Sequence, residues 1–171
     1  MPKLKLVLVL LALLLAPTAP AYAQARGSWA LYAHPELGFR IDLPVAGFTP
    51  ADSAPDEGDR LTLVETGGVA QIDVYGGHND QGLGLAGFAE RLEAADATRR
   101  VTYRAAGRSW FVLSGHFTPE AGSEELIFYT KFMLSADGTR YVAFEISYPR
   151  SEKRRFDPIV DRLEASLRRP A

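Results

Sequence analysis

The sequence predicts an α+β fold: a single, mostly antiparallel, twisted sheet of roughly six to eight strands with two amphipathic helices. Three observations lead there. Residues 101–148 carry four strand-like runs (101–106, 110–117, 124–134 and 140–148) separated by short turn-forming segments. The inner runs are apolar on both sides. Two stretches outside them place apolar residues at helical spacing.

The short separators, Gly107-Arg108, 118–122 and 136–138, favour an antiparallel meander, because hairpins need only short loops. Within it Trp110 and Val112 alternate with Phe111 and Leu113, and Leu126, Phe128 and Phe132 alternate with Ile127, Tyr129 and Met133. A strand apolar on both sides needs cover on both sides, so the remaining chain must form layers above and below it, an α/β/α sandwich.

The chain opens Met-Pro-Lys-Leu-Lys, runs uncharged from Leu6 to Leu15, and reaches Ala21-Tyr22-Ala23. A basic start, an apolar run and a small-x-small site form an export signal, with cleavage expected after Ala23. The apolar run is shorter than the roughly 20 residues a bilayer-spanning helix needs. The expected organisation is therefore a signal peptide (1–23), a loose polar leader (24–28) and one α+β domain (29–171), delivered to the periplasm or the medium. Loss of Lys3 and Lys5 with the signal changes 19 basic and 21 acidic residues to 17 and 21, a net of −4. That balance does not favour nucleic acid. The chain has no cysteine, which excludes disulfides, thiolate metal sites and thiol catalysis. An exported domain without disulfides must be held by its core.

Along the mature chain, residues 29–33 and 39–43 read as a hairpin turned by Pro35 and Gly38, with Phe39, Ile41 and Leu43 on one face. Residues 50–59 read as a surface loop. Residues 60–65 and 69–75 form a second hairpin around Gly67-Gly68, in which Ala70, Ile72 and Val74 oppose Gln71, Asp73 and Tyr75. A glycine-rich loop, 76–84, leads into a helix over 85–95, whose Leu85, Phe88, Ala89 and Leu92 make one stripe. The last helix is expected to start with Asp157 as cap and Pro158 as first residue. Ile159, Val160, Leu163 and Leu167 form its apolar face, and Arg168 and Arg169 lie in its final turn.

Val101-Thr-Tyr103, residues 110–115, Ile127-Phe-Tyr129 with Lys131, Tyr148-Pro149 and Phe156-Asp-Pro-Ile-Val160 form a familiar pattern. Residues 37–44 and Val74-Tyr-Gly76 with Asn79 extend it. Together they resemble a group of secreted bacterial domains similar to the PsbP-like fold, an α/β/α sandwich around an antiparallel sheet. That superfamily includes an extrinsic subunit of photosystem II and a nuclear import factor that binds the small GTPase Ran. The resemblance covers most of the mature chain and implies a non-enzymatic binding or accessory role. It carries over no catalytic residue.

Few residues compete for chemistry. Gly82-Leu-Gly84-Leu-Ala-Gly87 matches a dinucleotide fingerprint, but the preceding strand ends too early and no acidic residue closes the next one. No cofactor is expected. His34, His78 and His116 lack the spacing of a zinc site. The loop residues His78, Asn79 and Asp80 are the candidate binding residues for a small ligand or metal, against the plainer reading of a solvated turn. Ser114 and His116 share one face of a strand and are the candidates for an unrecognised hydrolase site. Glu120, Glu124 and Glu125 read as solvation at a hairpin mouth. The favoured expectation is an exported, non-enzymatic module that acts by contact with a protein partner, as a monomer or weak oligomer.

Overall fold

The computed structural model describes residues 23–26, 28–51 and 60–170. The expected signal peptide up to Tyr22 and most of the expected 50–59 loop lie outside the described residues. The element order is β1 (Ala23–Arg26), β2 (Trp29–Ala33), β3 (Arg40–Pro44), β4 (Phe48–Pro50), β5 (Arg60–Glu65), β6 (Gln71–His78), α1 (Leu85–Ala94), β7 (Arg99–Ala106), β8 (Trp110–Phe117), β9 (Leu126–Leu134) and β10 (Arg140–Pro149). A short 3-10 turn, Arg150–Glu152, leads into α2 (Lys153–Ser166).

The main sheet has seven strands in the order β4-β5-β6-β10-β9-β8-β7, every pairing antiparallel. After β6 the chain crosses one face as α1, reaches the far edge as β7, and returns by the meander β7-β8-β9-β10 until β10 pairs with β6. The fold is the expected α+β class, an antiparallel sheet covered on both faces. The N-terminal hairpin differs from the single-sheet expectation. With β1 it forms its own three-stranded sheet, order β1-β2-β3, so residues expected as a loose leader pair with β2. Separation is favoured because Leu37, Phe39, Ile41 and Leu43 bury against the main sheet's face rather than extending its edge.

Alternation along each strand sorts side chains onto two faces. On one, Ile72 and Val74 (β6) with Val142, Phe144, Ile146 and Tyr148 (β10) meet the small sheet and Phe156, Val160 and Leu163 of α2. On the other, Phe111 and Leu113 (β8), Phe128 and Phe132 (β9) and Ala143 (β10) meet Leu85, Phe88, Ala89 and Leu92 of α1. Gly76 lets the first face close. A Cβ there would lie 2.8 Å from Leu37, from Phe39 and from the Tyr141 carbonyl oxygen.

α2 starts one turn before the expected Asp157 cap. Burying Phe156 against the Tyr148 ring, 4.7 Å between centroids, favours the extra turn. Pro158 therefore sits inside the helix, where it cannot donate to the Arg154 carbonyl. Asp157 pairs with Lys153 instead of capping. Arg168 and Arg169 lie beyond the final turn. Arg168 bridges Arg40 by main chain, and its guanidinium donates to the Ala165 and Leu167 carbonyls at 2.7 and 3.0 Å.

Candidate functional site

The sheet face beneath α1 is divided in two. One half is aromatic: the rings of Phe111 and Phe132 stack 4.9 Å apart, and Phe88 of α1 sits 4.5 Å from Phe132 and 5.1 Å from Tyr141. The cover is thin. α1 has ten residues, no side-chain cap at Gly84, no acid in its first turn and no fully buried residue. A helix of that length is marginal by itself and depends on its packed stripe. Between it and the β7–β8 hairpin runs an apolar groove of about 390 Å³, lined by Leu85, Ala86, Ala89, Ala105, Ala106 and Phe111 among others.

The other half is charged. Thr62, Asp73, Glu145 and Thr130 lie side by side across β5, β6, β10 and β9. Asp73 accepts from Thr62 Oγ1 at 2.6 Å, Gln71 Nε2 at 2.7 Å and Arg60 Nη1 at 3.2 Å. Glu145 accepts two bonds of 2.9 Å from the Arg99 guanidinium and one of 2.5 Å from Thr130 Oγ1. The Arg99 side chain is 8 % exposed. It lies over the rings of Phe117 and Phe128 at 5.2 and 4.4 Å, and its buried Nε has no partner among the described residues. Beside them, burial raises the pKa of the Tyr75 hydroxyl, and Arg60 sits 4.7 Å over its ring. Two carboxylates on neighbouring strands would repel, so each takes its own arginine. Such a network adds little net stability over an apolar core, yet losing one member leaves a stranded charge. It clamps the edge strand β7 to the centre of the sheet.

Past that clamp, the β7–β8 register shifts between Val101 and Tyr103. The bulge puts both Val101 and Arg104 on the α1 face and turns Tyr103, 56 % exposed, to the other. Gly115 permits it, since a Cβ there would fall 1.9 Å from the Arg100 carbonyl oxygen. Arg104 then pairs with Glu93 of α1 at the rim of the groove.

On the opposite face a more polar cleft, about 490 Å³, lies between Trp110, Lys131 and the end of α2. Its central carboxylate, Glu164, accepts from the Tyr129 hydroxyl at 2.6 Å and Lys131 Nζ at 3.3 Å; burial, and then the hydrogen bond to Glu164, raise the Tyr129 pKa.

The residues singled out from sequence are scattered. His78 ends β6 and is exposed, as is Asp80. Between them, Asn79 braces the loop: its Nδ2 donates to the Leu83 and Gly138 carbonyls at 3.0 and 2.8 Å, and its Oδ1 accepts from Leu83 N at 2.9 Å. That brace, not a nucleotide, organises the Gly82-x-Gly84 segment, where Gly82 takes φ +62°. Ser114 Oγ donates to the Phe128 carbonyl at 2.9 Å, whereas His116 Nε2 faces Glu125 Oε1 at 3.6 Å. The two side chains serve different partners. Glu125 in turn binds Arg150, which lowers its pKa, and Glu124 accepts from Ser151 N. Among the described residues, no cluster of three or more histidine and carboxylate side chains is placed to hold a metal, and no helix is long and apolar enough to cross a membrane.

Sequence reasoning passed over Arg99, Asp73 and Glu145. The available signal was a carboxylate in the middle of each of two central strands, with Thr130 on a third.

No protein-family profile and no curated protein matches the chain. Solved structures do. The chain is similar to the solution structure of cyanobacterial PsbP from Synechocystis, with TM-score 0.66 and 11 % identity over 90 % of this chain and 99 % of that one. It is also similar to the Ran-binding protein Mog1p of Saccharomyces cerevisiae, with TM-score 0.57 and 10 % identity over 82 % of this chain and 94 % of that one. The fold is PsbP-like. At such identity the likeness concerns the backbone arrangement alone.

Proposed function

We propose that this protein is an exported, non-enzymatic accessory or binding module that acts outside the cytoplasm by contact with another protein. The observation that carries the reading is the unequal roofing of the sheet. The face under α2 and the small sheet carries the larger buried core and a half-polar cleft whose carboxylate is already engaged, whereas the face under α1 leaves an apolar groove and an edge strand beside a self-neutralised charged row. Most of the distinctive side chains on β8, β9 and β10, namely Phe111, Phe128, Phe132, Phe144 and Tyr148, are consumed by packing. Ser114 and His116 are engaged apart from one another. A fold shared with a protein described as Ran-binding is in keeping with recognition of a macromolecule. The basic start, the apolar run and Ala21-Tyr22-Ala23 support export.

The test has two arms. Fractionation of cells expressing the full chain with a C-terminal tag should release a mature product beginning at Gln24 with the periplasm or medium. An uncleaved product retained in the cytoplasm refutes export. Crosslinking in whole cells should trap a stoichiometric protein partner; turnover of a substrate by the purified chain, with no partner trapped, refutes the binding role.

A further inference from the structure

The two edges of the main sheet are not alike. β4 is three residues long and ends at Pro50, which has no N–H to offer. β7 is eight residues long and, among the described residues, pairs only with β8. Alternate residues of such a strand direct N–H and C=O away from their neighbour. Upstream of the bulge this edge is occupied: Arg99 N donates to the Asp96 carbonyl, and the Arg100 guanidinium covers the Ala97 and Arg99 carbonyls. Downstream, from Tyr103 to Ala106, it runs alongside the groove whose floor is Ala105, Ala106 and Phe111 and whose far wall is Leu85, Ala86 and Ala89 of α1.

An edge strand, a helix and an apolar groove between them form a site for one kind of occupant. A helix or a lipid could fill the groove but could not satisfy the outward main-chain groups; an extended chain does both. We infer that β7 from Tyr103 to Ala106 accepts an extended segment of a partner protein as an eighth strand, its apolar side chains entering the groove beside α1. The opposite side chains of that segment, by the period of two, come out on the face of Tyr103 and Arg100. Arg100 is exposed, its guanidinium donating to the Ala97 and Arg99 carbonyls near Asp96, and Arg108 in the following turn is also exposed. The segment recognised therefore alternates apolar with acidic residues. The small side chains of Ala86, Ala89 and Ala106 set the groove's width and leave room for a branched aliphatic group. This inference rests on the binding-module reading and specifies its surface.

The probe is a fluorescent synthetic peptide of alternating leucine and aspartate, read by anisotropy against the mature chain. Two variants of the peptide carry N-methyl groups on the even or on the odd amides. One is expected to lose binding and the other to keep it, because only one set faces β7. Ala86→Arg, at an exposed helix position, fills the groove and should weaken binding at least about tenfold while the thermal transition holds. Absence of binding, equal tolerance of both methylation patterns, or indifference to Ala86→Arg overturns the inference. So does a concentration-dependent dimer abolished by Ala86→Arg, since the occupant would then be a second copy. A partner crosslinked equally by wild type and Ala86→Arg overturns this docking mode and leaves the binding-module reading standing.

Discussion

The two faces of the main sheet are built from the same strands yet are roofed differently. Under α2 and the small sheet, side chains of β6 and β10 interlock with Phe39, Ile41, Phe156 and Leu163, all essentially without solvent contact. Under α1, a ten-residue uncapped helix covers half a face, and the other half is closed by a bidentate arginine lying on two phenylalanines. The difference assigns separate tasks. The α2 face supplies most of the buried core, and the α1 face, thinly covered and partly polar, is the one that sets an apolar groove beside an edge strand.

That contrast can be broken by mutation. The largest effect is expected from Phe156→Ala, which empties a fully buried site and should cost about 3–5 kcal/mol in chemical denaturation. Phe88→Ala, on the half-buried α1 stripe, should cost only about 2 kcal/mol. Equal losses would dissolve the distinction between the faces.

Next comes Arg99→Met, which strands Glu145 and should cost about 3 kcal/mol, whereas Arg99→Met with Glu145→Leu should recover most of the loss. A double variant no better than the single would show that the clamp, rather than the stranded charge, sets the cost. Gly115→Ala should cost about 1–3 kcal/mol, because the Arg100 carbonyl must move and the bulge with it. Amide exchange should then quicken in β7 and leave β10 unchanged.

The smallest effect concerns pH. Tyr75, Tyr129 and Tyr148 all have raised pKa values, chiefly through burial, with Tyr148 pushed up to about 12. A raised folded-state pKa contributes stability that is whole below the unfolded value, about 10, and is lost as pH rises towards the folded one. Alkaline melts should therefore decline from about pH 10 upwards. Tyr148→Phe and Tyr129→Phe on the α2 face should flatten the decline more together than Tyr75→Phe does alone. A flat stability curve across that range would contradict the burial of all three.

The meander was legible because its signals are local. Gly107, Gly122 and Gly138 punctuate runs of period two, and β8 spans the very residues the alternation marks. α1 was equally legible from Leu85, Phe88, Ala89 and Leu92. The start of α2 was misjudged because a local signal, Asp157-Pro158, competed with a distant one, the Phe156–Tyr148 stack, and the distant one won. The candidate site was less legible still. His78, Asn79 and Asp80 stood out as polar loop residues, while Asp73 and Glu145 looked like ordinary alternation.

Sequence by itself determined the longer strands, the apolar stripes of both helices and, away from the β7 bulge, which side chains share a face, because period two and period 3.6 are properties of neighbouring residues. Only the tertiary structure decided that β10 inserts beside β6, which sets Asp73 against Glu145 and brings Arg99 over both central phenylalanines. It also decided that β7 becomes an edge and that α1 roofs half a face. Strand order is fixed by how faces bury against each other across long separations in the chain, and no local pattern encodes that.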